Sequence, residues 1–181
     1  MHSSDKRCWV EIDLNAVKHN YDVIRTKVSS DIKLCCVVKA DAYGHGVKVL
    51  SKFYENLDVD YFAVSNINEA IELRENGITK PVLVLGYTNP ECANLLGEHN
   101  IEQTVFSREY AENLNYFAEK SDVKIKIHIK IDTGMGRVGF VSKDSDSMND
   151  AKYACYLKNL IPYGVFTHFA VAERANPTLT I

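Results

Sequence analysis

Apolar and polar positions alternate in blocks along the chain. Short apolar runs at Leu34–Val38, Tyr61–Val64, Val82–Leu85, Thr104–Phe106, Ile125–Ile131 and Tyr163–Phe166 read as strands. They recur at intervals of roughly 20 to 40 residues, the repeat of a βα unit. Helical patterns with start and stop signals lie between them. Asn66-Ile67-Asn68-Glu69 has the form of a capping box, with Ile67, Ala70, Ile71 and Leu73 behind it and Gly77 as a stop. Asn89-Pro90 joins a cap to a proline at the first helical position. Ser107 can cap a helix whose Tyr110, Leu114 and Phe117 share one side. Leu14, Val17, Tyr21, Ile24 and Val28 also keep helical spacing, after a short predicted strand at Trp9–Ile12.

Six strands of βα type in series predict a parallel sheet with helices outside it. An open doubly wound sheet and a (β/α)8 barrel both fit that order. A closed barrel takes about 250 residues. The chain has 181, so the barrel reading predicts an incomplete barrel of about six βα units. In Val123–Asp132, isoleucines 125, 127, 129 and 131 share one face, and Lys124, Lys126, His128, Lys130 and Asp132 share the other. That pattern suits an edge strand with a wet face. It equally suits a barrel strand whose isoleucines meet the helices while its charged face points inward. On the barrel reading, Lys130 and Asp132 approach the carboxyl end, where barrel active sites form.

Composition narrows the partners. Hydrophobic residues make up 46%, charged residues 25%, and the formal charge is −3, the balance of a soluble globular protein. Such a charge offers no electrostatic case for nucleic acid or a membrane surface. No apolar run approaches about 18 residues, and the start, MHSSDKRCW, lacks the apolar stretch of a signal peptide. The five cysteines (8, 35, 36, 92 and 155) form no CxxC and read as reduced thiols of a cytoplasmic protein. The six histidines have no metal-like spacing, so no metal is expected.

Three strand ends carry candidate chemistry. In VVKADAYGHG, Lys39 follows an apolar strand and precedes a loop with two glycines. A lysine there can be an ion-paired or snorkelling cation. It can also be a nucleophilic amine whose pKa is lowered by desolvation, suited to a carbonyl. In KIDTGMGRVGF, Gly134, Gly136 and Gly139 allow a tight loop, and Arg137 offers a fork for a carboxylate or phenolate oxygen. His168, in THFA, taken alone reads as a core or capping histidine. Together, Lys, Arg and His on one rim make an anion-and-carbonyl site.

VVKADAYGHG, KIDTGMGRVGF and THFA, with the opening WVEIDLNA and Asn20, resemble the alanine racemase family over about residues 8 to 170. The resemblance implies a pyridoxal 5'-phosphate enzyme with an N-terminal (β/α)8 barrel and a C-terminal β domain. Lys39 then corresponds to the lysine that holds the cofactor and moves the α-proton on one face. Tyr43 matches the phosphate-binding tyrosine, and Leu85 an apolar position under the cofactor. Arg137 matches the arginine that contacts the phenolic oxygen and the substrate carboxylate. Lys130 falls where many members carry a carbamylated lysine, and His168 lies beside the pyridine ring. The implied activity is interconversion of L- and D-alanine in a cytoplasmic homodimer, supplying D-alanine for peptidoglycan. A racemase for serine or another amino acid, or a non-catalytic cofactor-binding fragment or carrier, are the other readings. Residues 1–12 are expected to pack with a C-terminal β domain, and 13–181 to form the partial barrel. The family's opposite-face base and pyridine-nitrogen partner are expected beyond this chain, so the 181 residues alone are expected to be inactive.

Overall fold

Six parallel strands form the frame of the computed structural model, which describes residues 7–172. They are β1 (Cys35–Val37), β2 (Tyr61–Val64), β3 (Val82–Val84), β4 (Glu102–Val105), β5 (Ile125–Asp132) and, beyond it, β7 (Leu160–Phe166). Each pairs in parallel with the next, and a two-residue strand, β6 (Phe140–Val141), pairs in parallel beside the carboxyl end of β5. This is the α/β partial barrel of about six units that the barrel reading of the sequence predicts, and not the open doubly wound alternative. β5 pairs with both β4 and β7, which removes the edge-strand reading of its charged face.

The helices are α1 (Leu14–Lys27), α2 (Lys39–Gly44), α3 (Val47–Asn56), α4 (Ile67–Glu75), α5 (Ala93–Glu98), α6 (Arg108–Lys120) and α7 (Ser145–Ala154). Local signals start most of them. Asn66 accepts the Glu69 N–H at the head of α4, Ser107 accepts that of Tyr110 at the head of α6, and Gly77 follows α4 with a positive φ of 75°. Asn89 and Pro90 open a 3-10 turn, Pro90–Cys92, that runs into α5. Trp9–Ile12 has no ladder partner among the described residues and runs as irregular chain into the Asp13 cap of α1, with Trp9 and Val10 exposed. The partner expected for it, a C-terminal β domain, is not among the described residues, and residues 1–6 and 173–181 of the two expected segments lie outside them as well.

Strand pairing sorts the side chains into two sets, because paired residues share a face and the period is two. Phe62, Val64, Val82, Val84, Val105, Ile125, Ile127 and Ile129 point outward and are buried beneath α4, α6 and their neighbours. The inward set is Cys35 and Val37 on β1, Tyr61 and Ala63 on β2, Leu83 on β3, Glu102 and Thr104 on β4, and His128 and Lys130 on β5. The inner face is therefore polar low down. Buried Glu102 accepts the Tyr61 hydroxyl at 2.8 Å and lies 2.6 Å from His128 Nε2. Gly164 of β7 lies against the His128 ring so closely that an added Cβ would come within 2.6 Å of Nδ1. At the amino-terminal end, the Arg74 guanidinium donates to the carbonyls of Ile78, Lys80, His99 and Asn100 and so ties two loops together. All five cysteines are free.

Candidate active site

Lys39 follows the inward positions Cys35 and Val37 and so leaves β1 at the carboxyl rim, half-buried. The chain then does something rare. Ala40, Asp41, Ala42 and Tyr43 all adopt left-handed backbone angles, with φ between 51° and 56°. For residues with a Cβ this conformation costs about 1–2 kcal/mol each, so the turn has to be held. Val38 N–H donates to Ala63 O at 2.9 Å before it, Gly46 N–H to Asp41 O at 3.0 Å after it, and Val47 N–H to Asp41 Oδ1 at 2.7 Å. The turn projects the Tyr43 ring back so that its centroid lies 5.9 Å from Lys39 Nζ.

The second rim segment follows β5. Asp132 accepts the N–H groups of Gly134 and Gly136 at 2.9 and 3.0 Å, which closes the loop and holds its carboxyl below the ordinary value. Gly139, at φ 132°, crosses β5 so closely that a Cβ would meet Lys130 O at 2.8 Å, a position only glycine can fill. Arg137 is left exposed at the loop tip. Lys130 is 4% exposed. Its ammonium donates to Ile131 O at 3.2 Å and stands 5.6 Å from the Phe166 ring centroid. Burial, together with the nearby Arg137 charge, pushes its pKa down against the pull of Asp132. Asp132 is engaged by the loop amides, and among the described residues Lys130 has no ion pair.

The third segment follows β7. Thr167 Oγ1 donates to Ile131 O at 2.8 Å and meets Thr133 Oγ1 at 2.8 Å, which pins the start of THFA to the KIDTG loop. His168 comes next and is exposed on the cavity side. Leu85 leaves β3, its N–H bonded to Val64 O at 2.8 Å. Gly86 follows, so close to Ser65 that a Cβ would sit 2.4 Å from its carbonyl oxygen.

All six residues singled out in the sequence, Lys39, Tyr43, Leu85, Lys130, Arg137 and His168, line one cavity of about 340 Å³ at this rim. Val37, Ser65, Gly86, Val138 and Phe166 complete its wall. Val37 and Phe166 are strand positions that only the register could assign to the inner face, Ser65 is the first residue past β2, and Gly86 is the second past β3. A half-buried amine, a guanidinium, an imidazole and a phenol around one cavity suit a small anionic carbonyl compound and an amine partner.

The family model described as alanine racemase, N-terminal domain, matches residues 12–180. Alanine racemase 1 of Caldanaerobacter subterraneus subsp. tengcongensis is 41% identical over 164 residues, 91% of this chain and 42% of that protein. Alanine racemase 1 of Clostridium acetobutylicum is 42% identical over 173 residues, 95% of this chain and 44% of that protein. Among solved structures, alanine racemase of Clostridium difficile 630 superposes with a TM-score of 0.85 at 40% identity, covering 90% of this chain and 43% of that one. Histidine racemase from Leuconostoc mesenteroides subsp. sake superposes with a TM-score of 0.82 at 28% identity, covering 92% and 44%. The chain thus spans less than half the length of these relatives.

Proposed function

The chain belongs to the alanine racemase family, and we propose that the protein interconverts L- and D-alanine in this cavity with pyridoxal 5'-phosphate carried on Lys39. The observation that supports this most is the convergence of Lys39, Tyr43, Leu85, Lys130, Arg137 and His168 on one wall. The residues present fit the cofactor. An amine, which an aldehyde requires, lines a cavity within the size range of cofactor sites. A phenol for a phosphate and a cationic fork for a phenolate or carboxylate stand beside it.

When bound, pyridoxal phosphate draws electrons from the substrate and acidifies its α-carbon. The chain's own groups do the rest. Lys39 Nζ takes or returns the α-proton on one face of the substrate. Arg137 would turn its planar fork to the substrate carboxylate, Tyr43 would donate its hydroxyl to the cofactor phosphate, and His168 and Leu85 would hold the ring, Leu85 as an apolar contact. Lys130 is carbamylated: the neutral amine attacks carbon dioxide, loses a proton, and becomes an anion that accepts from Arg137. Its burial without a carboxylate partner favours that chemistry. The base for the opposite face comes from a C-terminal β domain of the other subunit in a homodimer, against which the exposed Trp9 and Val10 can pack. Cytoplasmic supply of D-alanine for peptidoglycan is the role this implies. Among the described residues, no helix is long and apolar enough to cross a membrane.

The assay is conversion of L-alanine to D-alanine by the full-length protein with pyridoxal phosphate. Lys39→Ala should lower it by at least about 100-fold, the loss expected for a positioned acid–base group. Wild-type turnover in that variant would contradict the proposal. The structural likeness to a histidine racemase favours a second reading, a racemase of another amino acid. Serine or histidine turned over faster than alanine would select it.

A further inference from the structure

The left-handed turn that carries Lys39 lacks an obvious anchor within itself at the point that matters most. The peptide joining Lys39 to Ala40 sets the direction in which the lysine leaves its strand. Its N–H, on Ala40, is bound by neither the turn nor β2. It donates instead to Glu69 Oε1 at 2.8 Å, a side chain 29 residues away on the first turn of α4. The other oxygen, Oε2, accepts the N–H of Ser65 at 2.7 Å and its hydroxyl at 2.8 Å. Ser65 lines the cavity and abuts Gly86. One carboxylate therefore joins two separate segments of the cavity wall. Partial burial works against its charge, but the bonds from Ser65 and Ala40 outweigh that and hold its carboxyl below the ordinary value.

We propose that Glu69 is the positioning residue for Lys39, fixing the peptide plane after the lysine and its spacing from the Ser65 wall. The inference rests on the reading of Lys39 as the cofactor-bearing lysine. It differs from a helix-capping role in what it touches. A cap need only reach the N–H groups of its own helix. Glu69 crosses to the neighbouring βα unit, and its second partner is the residue directly after Lys39.

The test is Glu69→Gln in the full-length protein. An amide has one acceptor oxygen where the carboxylate has two, so it cannot serve Ala40 and Ser65 together. Without added cofactor, hydrogen exchange at the Ala40 or Ser65 amide should accelerate about 10- to 100-fold, the loss of one charge-assisted bond. The rate at which borohydride fixes pyridoxal phosphate to Lys39 should fall by about 10-fold or more, and kcat should fall more than KM rises. Ser107→Ala is the control. It removes the α6 cap without touching Glu69, Ser65 or Ala40, so it should leave the exchange and trapping readouts unchanged. Should Glu69→Gln fail to fold, Glu69→Asp gives the same readouts, since the shorter acid cannot span both segments. Unchanged exchange at both amides would overturn the proposal. So would faster exchange with an unaltered trapping rate, which would make Glu69 a structural brace alone. Covalent cofactor retained in Lys39→Ala would instead overturn the reading of Lys39, while the exchange rates would still decide whether Glu69 clamps the two segments.

Discussion

Acid should loosen the joint between α3 and the loop before β3, and Glu55 carries the effect. Its Oε1 accepts the Thr79 N–H at 2.7 Å, the Thr79 hydroxyl at 3.0 Å and the Lys80 N–H at 3.3 Å, while Oε2 meets Lys52 Nζ at 3.0 Å. The side chain is 14% exposed. Burial raises its pKa, but these donors together outweigh it and bring the carboxyl down to about 2 from 4.5. Because the folded value lies below the unfolded one, the stabilisation is complete above about pH 4.5 and is lost as pH falls towards 2. At 1.36 kcal/mol per pH unit the ceiling is about 3 kcal/mol. The Lys52 partner is half-exposed, and screening brings the expected figure to about 1–2 kcal/mol. Urea unfolding of wild type and Glu55→Gln at pH 7, 4.5, 3 and 2 isolates this group from the other carboxylates. The variant should be about 1–2 kcal/mol less stable at pH 7, and the gap should close near pH 2. A gap that stays constant with pH, or widens in acid, would refute the reasoning.

Two further outcomes follow from buried groups. Glu102→Leu should cost about 2–4 kcal/mol in urea unfolding, because it strands the Tyr61 hydroxyl and His128 inside the barrel; a loss below about 1 kcal/mol would mean that water reaches them. Lys130 should gain 44 Da in native mass spectrometry of protein kept in bicarbonate, about the mass of one carbon dioxide, and the adduct should be absent in Lys130→Arg. A bare amine in electron density at alkaline pH would contradict the carbamate.

What the sequence makes legible, and what it hides, has a common cause. Apolar runs and caps report burial outside the barrel, so β2, β5 and the starts of α4 and α6 can be read directly. β4 begins two residues before its apolar pattern does, because Glu102 and Gln103 look like loop residues until the barrel interior and the Thr88–Gly86 loop supply their partners. Trp9–Ile12 is irregular where a short strand is expected, because a strand forms only against a neighbour and the one expected for it is not among the described residues. The site residues are legible because motif and strand end coincide at Lys39, Arg137 and His168. Glu69 is visible only as a cap. Its bond to Ala40 depends on a left-handed turn in a neighbouring unit, and no local signal predicts four residues with Cβ atoms in that conformation.

Cofactor attachment at Lys39 is the point on which the proposed function stands. The full-length protein should be incubated with pyridoxal phosphate, reduced with borohydride, digested and mapped by mass spectrometry. The pyridoxyl group should appear on the peptide containing VVKADAYGHG, at Lys39, and be absent in Lys39→Ala. The group on Lys130 or any other lysine, or undiminished labelling in Lys39→Ala, would contradict it.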